Sequence, residues 1–301
     1  VIDNRTMEKI VNKIQENSLL ILAGDIHQIE AIEFGNWFYY AKNIILTKGA
    51  NVELSNTWRT DDPKLIDLWK EVREHKPLIT ERMAIDGPFS EKIGAELLKE
   101  DEYKDHVVLC LNYDGKFGLN NMNNYFQCAN KEGEAVVWGE WTYKKGDPVL
   151  FNDSKRFPAL YNNLKGWIVD VEKDRKEIRF TIDIDMKLTE KECKENGIEF
   201  IGDTGKYTRI RFCVFKYDSN VSDDKVDEMR MKAVVPFQLA YAVSIHKAQG
   251  LEYDSVKIVI PDSNSERVTH GVFYTAITRA KKKVWLVTVQ GNESAFAQEI
   301  E

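Results

Sequence analysis

YAVSIHKAQGLEYD, residues 241–254, joins a short apolar run to a polar loop and then to an acidic residue. The loop carries Ser244, His246, Lys247, Gln249 and Gly250, and Glu252 stands just ahead of a second apolar run at 256–260. The pattern is strand, functional loop, strand, and open α/β sheets bind their ligands at such edges. A loop is polar for solvation alone, so this one gains meaning only from its surroundings.

On the carboxyl side, Val268, Val272, Ala276 and Ile277 share one face of a helix expected over 266–280, and 284–289 reads as a final strand. Lys281, Lys282 and Lys283 read as a solvated helix end. On the amino side, short β-type runs at 148–151, 167–171, 178–184 and 207–214 are separated by turn clusters such as Asn152-Asp153-Ser154 and Gly202-Asp203. That is the signature of a small antiparallel barrel or sheet, here an insertion between α/β segments. Further upstream, 106–111 is an apolar strand, and Asn120, Asn121, Asn123 and Asn124 crowd around Met122 in a run that suits turns and caps better than a core.

Asp61-Asp62-Pro63 supplies an N-cap and a proline for a helix through Arg73. At the start of the chain, Asp3-Asn4 look like the end of a strand. Met7, Ile10, Val11 and Ile14 lie on one helix face over 7–15, and LLILA at 19–23 reads as a fully buried strand ended by Gly24-Asp25. Strand, helix, strand predicts a parallel sheet. Residues 52–54 begin the next unit, with a domain boundary expected over 47–52.

Composition sets outer limits. The 301 residues are 43% hydrophobic and 30% charged, which suits one or two soluble globular domains. No window reaches about 18 consecutive apolar residues and no secretory signal opens the chain, so a cytoplasmic protein with no membrane partner is expected. The four cysteines form no Cys-x-x-Cys pair, so neither a zinc site nor a disulfide framework is indicated. A net charge of -7 excludes an overall basic coat and leaves a local basic groove open. The chain opens on Val1 and is expected to be a piece of something longer.

Five stretches stand in a telling order: Asp3-Asn4, Gly24-Asp25-Ile26-His27-Gln28, Trp58-Arg59-Thr60, the loop at 246–252, and Thr278-Arg279-Ala280. Together they resemble the later motifs of superfamily 1 helicases, in particular the RecD/TraA-like branch. GDPVLF at 146–151 and NLKG at 163–166 resemble the barrel inserted in the second motor domain of that branch. The resemblance implies an α/β, RecA-like P-loop NTPase fold, a parallel sheet with flanking helices. It implies an incomplete first RecA-like domain at 1–48, a second at 49–140 and 236–301, and an inserted SH3-like β-barrel at 141–235.

The same resemblance implies site residues, and their chemistry suits the roles. Arg59 and Arg279 would reach the γ-phosphate of ATP as arginine fingers, because guanidinium donors match phosphate oxygens. Gln28 would sense that phosphate or orient the attacking water, Asp3 would hold Mg²⁺, and Glu252 with Gly250 would meet the ribose or phosphates. Trp58 stands where an aromatic stacks on the base. Ser244, His246 and Lys247, with Asn112, Asn120 and Asn123, would contact the backbone of single-stranded DNA, and Trp37 or Phe38 would stack on a base. Nuclease or repair and recombination partners come with the branch. Taken singly, each arginine reads as a solvated or salt-bridged residue and His246 as a surface histidine; the order of the motifs carries the argument.

Two departures matter. None of the 301 residues form Gly-x-x-x-x-Gly-Lys-Ser/Thr, so this chain alone is expected to hydrolyse no ATP. Asn4 stands where the family places a glutamate, and an amide cannot act as a general base. The alternative reading is therefore a non-catalytic nucleic-acid- or partner-binding protein that retains a helicase fold.

Overall fold

The structure, a computed structural model, describes residues 2–30, 35–45, 50–76, 79, 89–90, 103–217, 226–260 and 268–288. They fall into two compact units, Val1–Leu111 with Ala248–Glu301, and Asn112–Lys247. This division differs from the borders read from the sequence at 48, 140 and 235, and residues 46–49, where one border was expected, lie outside the described residues.

The first unit opens with α1 (Asn4–Val11), α2 (Trp37–Tyr40), α3 (Pro63–Arg73), β1 (Phe89–Ser90) and β2 (His106–Cys110). The second contains α4 (Leu119–Ala129), β3 (Val136–Trp138), β4 (Trp141–Tyr143), β5 (Pro148–Phe151), β6 (Lys165–Lys173) and β7 (Glu177–Ile184). It continues with α5 (Glu190–Glu195), β8 (Glu199–Asp203), β9 (Thr208–Phe215), α6 (Val226–Ala233), β10 (Phe237–Leu239) and β11 (Ala242–Ser244). The chain then returns to the first unit for β12 (Tyr253–Ile260), α7 (His270–Ile277) and β13 (Ala280–Thr288).

In the first unit β1, β13, β12 and β2 lie side by side in that order, all parallel. Parallel strands covered on both faces read as unbroken apolar runs. Val107, Val108, Leu109 and Cys110 of β2 and Val256, Ile258 and Val259 of β12 are accordingly buried. Helix α3 starts where the sequence placed it, with the Asp62 carboxylate accepting the Lys64 N–H at 2.9 Å. Its buried face, Leu65, Leu68, Trp69 and Val72, meets α7, and the Trp69 Nε1–H donates to the Ile277 carbonyl at 3.2 Å. Val72 O lies 2.6 Å from His270 Nε2 on the same helix.

That packing makes stability pH-sensitive. Burial pushes the pKa values of His27 and His270 below the usual histidine range, and His270 stacks on His75 at 3.7 Å between ring centroids. A histidine whose folded pKa is depressed binds protons more readily when unfolded. Its contribution is whole above the unfolded value of about 6.5 and is lost as pH falls through that value toward the folded one. The urea midpoint of the first unit is therefore expected to fall between pH 7.5 and pH 5.5. His270→Gln, which keeps a donor for Val72 O, should flatten that dependence.

In the second unit the strands form an antiparallel sheet in the order β10-β5-β6-β7-β9-β8. Its core is aromatic: Tyr143, Phe151, Phe180, Phe212 and Phe237 are all buried, and Phe180 and Phe237 meet edge to face at 5.0 Å. The strand 237–239 pairs with β5, so the sheet runs past residue 235.

Several local expectations need correction. Residues 19–23 form no strand, and Leu19 and Ile21 are exposed at 85% and 79%. A strand needs a neighbour to pair its backbone and cover its side chains, and none of the described residues supplies one. Residues 52–54, read as the start of the next unit, form no helix or strand: Val52 and Leu54 are exposed, while Glu53 pairs with Lys42 and Arg73. The helix expected over 7–15 ends at Val11, and the one expected over 266–280 is His270–Ile277, residues 266 and 267 lying outside the described residues. Lys281, Lys282 and Lys283 belong to β13 rather than to a helix end, and Lys281 and Lys282 both pair with Asp254. The asparagine-rich run forms α4, because Asn123 turns inward and finds backbone partners there. Residue 289, the end of the last expected strand, lies outside the described residues.

Candidate functional site

Helix α7 ends at Ile277, and its last carbonyls have no partners within the helix. Arg279 meets them from the next residue but one. Its Nε–H donates to Thr275 O at 2.8 Å, one Nη–H to Leu251 O at 3.1 Å and another to Thr278 Oγ1 at 2.9 Å. The side chain is 1% exposed. Three of the five guanidinium N–H groups are thus used inside the protein.

Arg59 arrives at the same corner because α3, which begins four residues later, is docked on α7. Its Nη1–H donates to the Thr278 carbonyl at 2.7 Å and its Nε–H to Glu252 at 3.3 Å. Two guanidinium groups therefore flank Thr278, one on its carbonyl and one on its hydroxyl. Burial, and next the charge of Arg59, push the Arg279 pKa down to about 10, while Glu252 and Asp25 act in the opposite direction. The two guanidinium groups thus repel each other, and Glu252 and Asp25 offset part of that repulsion.

The Gly24 to Gln28 turn packs along α7, from Gly271 to Thr275. The Ile29 N–H donates to Thr275 Oγ1 at 2.9 Å, and His27 meets Tyr274 edge to face. Within the turn, the Asp25 carboxylate accepts the His27 N–H at 3.0 Å and the Gln28 Nε2–H at 3.3 Å. Gly271 makes this approach feasible: a Cβ there would lie 3.1 Å from Gln28 O and 3.3 Å from its carbonyl carbon. Gln28, Arg59, Glu252 and Arg279 are thus gathered by one helix, α7. Gly250, with φ +85°, takes a left-handed backbone conformation in the loop ahead of Glu252.

Other expected residues stand elsewhere. Trp58, next to Arg59, is 91% exposed and touches no base platform among the described residues. Asp3 does not end a strand: it is the N-cap of α1, its Oδ1 accepting the Thr6 N–H at 2.6 Å. Trp37 opens the short α2 half-buried, and its indole N–H finds no partner among the described residues.

The second set lies in the second unit. Lys247 Nζ donates to Gln238 Oε1 at 2.6 Å, and the Lys247 N–H donates to Ser244 Oγ at 3.3 Å. Ser244 is buried, so its hydroxyl shapes the loop, while His246 is exposed. Asn123 is buried as well. Its Oδ1 accepts the Ala242 N–H at 2.9 Å and its Nδ2 donates to Ala242 O at 3.0 Å, which leaves the amide no face for an outside ligand. Asn112 has a buried Oδ1 with no partner among the described residues.

Thr275, Gly271 and Gln238 were missed by sequence reasoning, while Asp25 and Thr278 stood in the quoted motif stretches without a role of their own. The spacing 271, 275, 278 along one helix was a legible sign for three of them; for Gln238, one glutamine ahead of an apolar run, there was none. Among the described residues no group of three His, Cys, Asp or Glu side chains could hold a metal ion, and no helix is long and apolar enough to cross a membrane.

A family model described as the UvrD-like helicase C-terminal domain matches residues 239–287, a span that holds Ser244, His246, Lys247, Gly250, Glu252 and Arg279. The RecBCD enzyme subunit RecD of Mycobacterium tuberculosis is 45% identical over 197 residues, covering 65% of this chain and 27% of that protein. The RecD subunit of Mycolicibacterium smegmatis is 24% identical over 192 residues, 64% of this chain and 26% of that protein. The chain thus spans about a quarter of these curated relatives. A solved structure of Bacteroides Pif1 bound to ssDNA is 18% identical, with a TM-score of 0.44, over 79% of this chain and 51% of that one.

Proposed function

Because the chain carries the C-terminal region of a superfamily 1, RecD-like helicase, we propose that it serves the nucleotide-driven half of an ATP-dependent DNA helicase that moves along single-stranded DNA. The observation that carries this reading is the convergence of Arg59 and Arg279 on Thr278 beside the loop of Glu252. The four parallel strands are read as the sheet of the second RecA-like domain, and the antiparallel sheet as its inserted barrel.

The residues fit a polyphosphate. Arg279 is held in place by carbonyls that cannot move with the ligand, and its pKa is lowered by burial and by Arg59, so an anion at this corner would relieve repulsion already present. ATP, when bound, would supply the triphosphate whose charge these groups stabilise during transfer to water. Arg59, the more exposed of the two, is the group able to adjust to it. Gln28, with an amide that both donates and accepts, stands ready to orient water beside α7. The residues do not by themselves fit Mg²⁺: Asp3 offers a single carboxylate, one oxygen of which caps α1, and no step is assigned to the ion.

For single-stranded DNA, Lys247 and exposed His246 are the contacts retained, with Ser244 shaping their loop. Asn123, whose amide is taken up by the Ala242 backbone, is not among them.

The test is single-strand-stimulated ATPase on the full-length protein that contains this chain. Arg59→Ala is expected to lower kcat about 10³-fold with KM little changed, the loss typical of an arginine finger. Wild-type turnover by that variant would overturn the reading.

A further inference from the structure

Gln238 lies at the centre of β10, opposite Leu150 of β5, so the antiparallel sheet fixes its backbone. Its side-chain oxygen holds the Lys247 ammonium at 2.6 Å. An ammonium can only donate, so the amide must turn its oxygen to the lysine and its NH₂ away. That Nε2 is buried and meets no acceptor among the described residues. The fold accepts an unsatisfied donor, which costs free energy, and in return one orientation of the lysine is fixed. Ser244 Oγ restrains the same residue from the backbone side.

We propose that Gln238 is a positioning residue for nucleic-acid binding, holding the Lys247 ammonium ready for a phosphate of single-stranded nucleic acid. The inference rests on the reading of Lys247 as a phosphate contact. A lysine loses rotamer freedom when it grips a phosphate, and a partner that has already ordered it removes part of that loss. The partner must be neutral. A carboxylate at the same place would hold the ammonium equally well and cancel the charge that the phosphate needs.

The experiment measures affinity of the whole 301-residue chain for a fluorescent oligothymidylate over a series of salt concentrations, with thermal midpoints taken on every variant. Lys247→Ala should reduce the slope of log affinity against log salt by about 0.7, the value for one single-strand phosphate contact. Gln238→Glu should reduce it by the same amount, although Lys247 is still present. Gln238→Leu should keep the slope and weaken binding several-fold, and the same change added to Lys247→Ala should weaken it no further. A mere packing role would leave the slope of Gln238→Glu at the wild-type value. That slope, or additive losses in the Gln238→Leu and Lys247→Ala pair, would overturn the inference. An unchanged slope in Lys247→Ala would instead remove the reading of Lys247 beneath it, a failure told apart by that single variant.

Discussion

Arg279→Ala is expected to lower the thermal midpoint of the first unit by roughly 6–12 °C, while Arg59→Ala shifts it by only a few degrees. Both arginines meet at Thr278, yet their burial differs: Arg279 is 1% exposed and the Arg59 side chain 28%. Removing Arg279 strips donors from Thr275 O, Leu251 O and Thr278 Oγ1 at once and opens a void at the end of α7. Leu251 O then loses its donor, at about 1–3 kcal/mol, whereas Thr275 O keeps the Thr278 hydroxyl as a donor at 3.0 Å and the cost there is smaller. Part of that is offset because the guanidinium itself no longer has to be buried against the charge of Arg59, so a net loss of about 3 kcal/mol is expected. Arg59 contributes one partly buried bond to Thr278 O and a half-exposed pair with Glu252, together about 1 kcal/mol.

The two variants should therefore separate structure from chemistry. If both residues face one triphosphate, both abolish single-strand-stimulated ATPase in the full-length protein, whatever their thermal midpoints. Arg279→Lys keeps the charge and loses the planar fork, so it should recover part of the midpoint and little of the turnover. Equal midpoints for Arg59→Ala and Arg279→Ala would show that burial does not divide the roles of the two arginines.

The sequence made some of this legible and hid the rest for identifiable reasons. The strand at 106–110 and four of the six strands of the antiparallel sheet announced themselves, since apolar runs bounded by turn residues need no distant partner to be recognised, whereas β8 and β10 went unread. Residues 19–23 look the same on paper and form no strand, because strand formation depends on a neighbour and composition does not report one. Asn123 shows the converse. A mid-helix asparagine is a poor choice locally, and only the Ala242 backbone, 119 residues away, makes it a good one. At the site, motif order identified Arg59 and Arg279, whereas the burial of Arg279 follows from the geometry of a helix end, which motif order does not encode. Gly146-Asp147-Pro148 attracted notice as a family likeness, yet nothing in its spelling shows that Asp147 is a buried hub.

Asp147 is fully buried, and its carboxylate accepts four hydrogen bonds. Oδ1 takes the Tyr241 hydroxyl at 2.8 Å and Asn130 Nδ2 at 2.9 Å; Oδ2 takes Gln127 Nε2 at 2.6 Å and the Lys144 N–H at 2.8 Å. The Lys144 ammonium is turned to the Gln127 and Asn130 carbonyls instead, so the charge is stabilised by dipoles. The hub ties α4, the turn after β4 and the residue leading into β11 to one another, and β11 leads directly to Lys247. Asp147→Ala orphans four donors and should cost about 3–5 kcal/mol. Asp147→Asn is nearly isosteric and still expected to cost about 2–4 kcal/mol, because whichever way the amide turns, its NH₂ faces donors where an oxygen stood. Burial raises the Asp147 pKa against the opposing pull of those four donors. A carboxyl group whose folded pKa is raised contributes stability that is present below its unfolded value of about 3.9 and is lost as pH rises through the folded value. Denaturant midpoints of the wild type should therefore lose this contribution on going upward from about pH 4, and those of Asp147→Asn should lack it. If instead the wild type gains from Asp147 over that interval, the four hydrogen bonds outweigh burial and the folded pKa lies below the unfolded one.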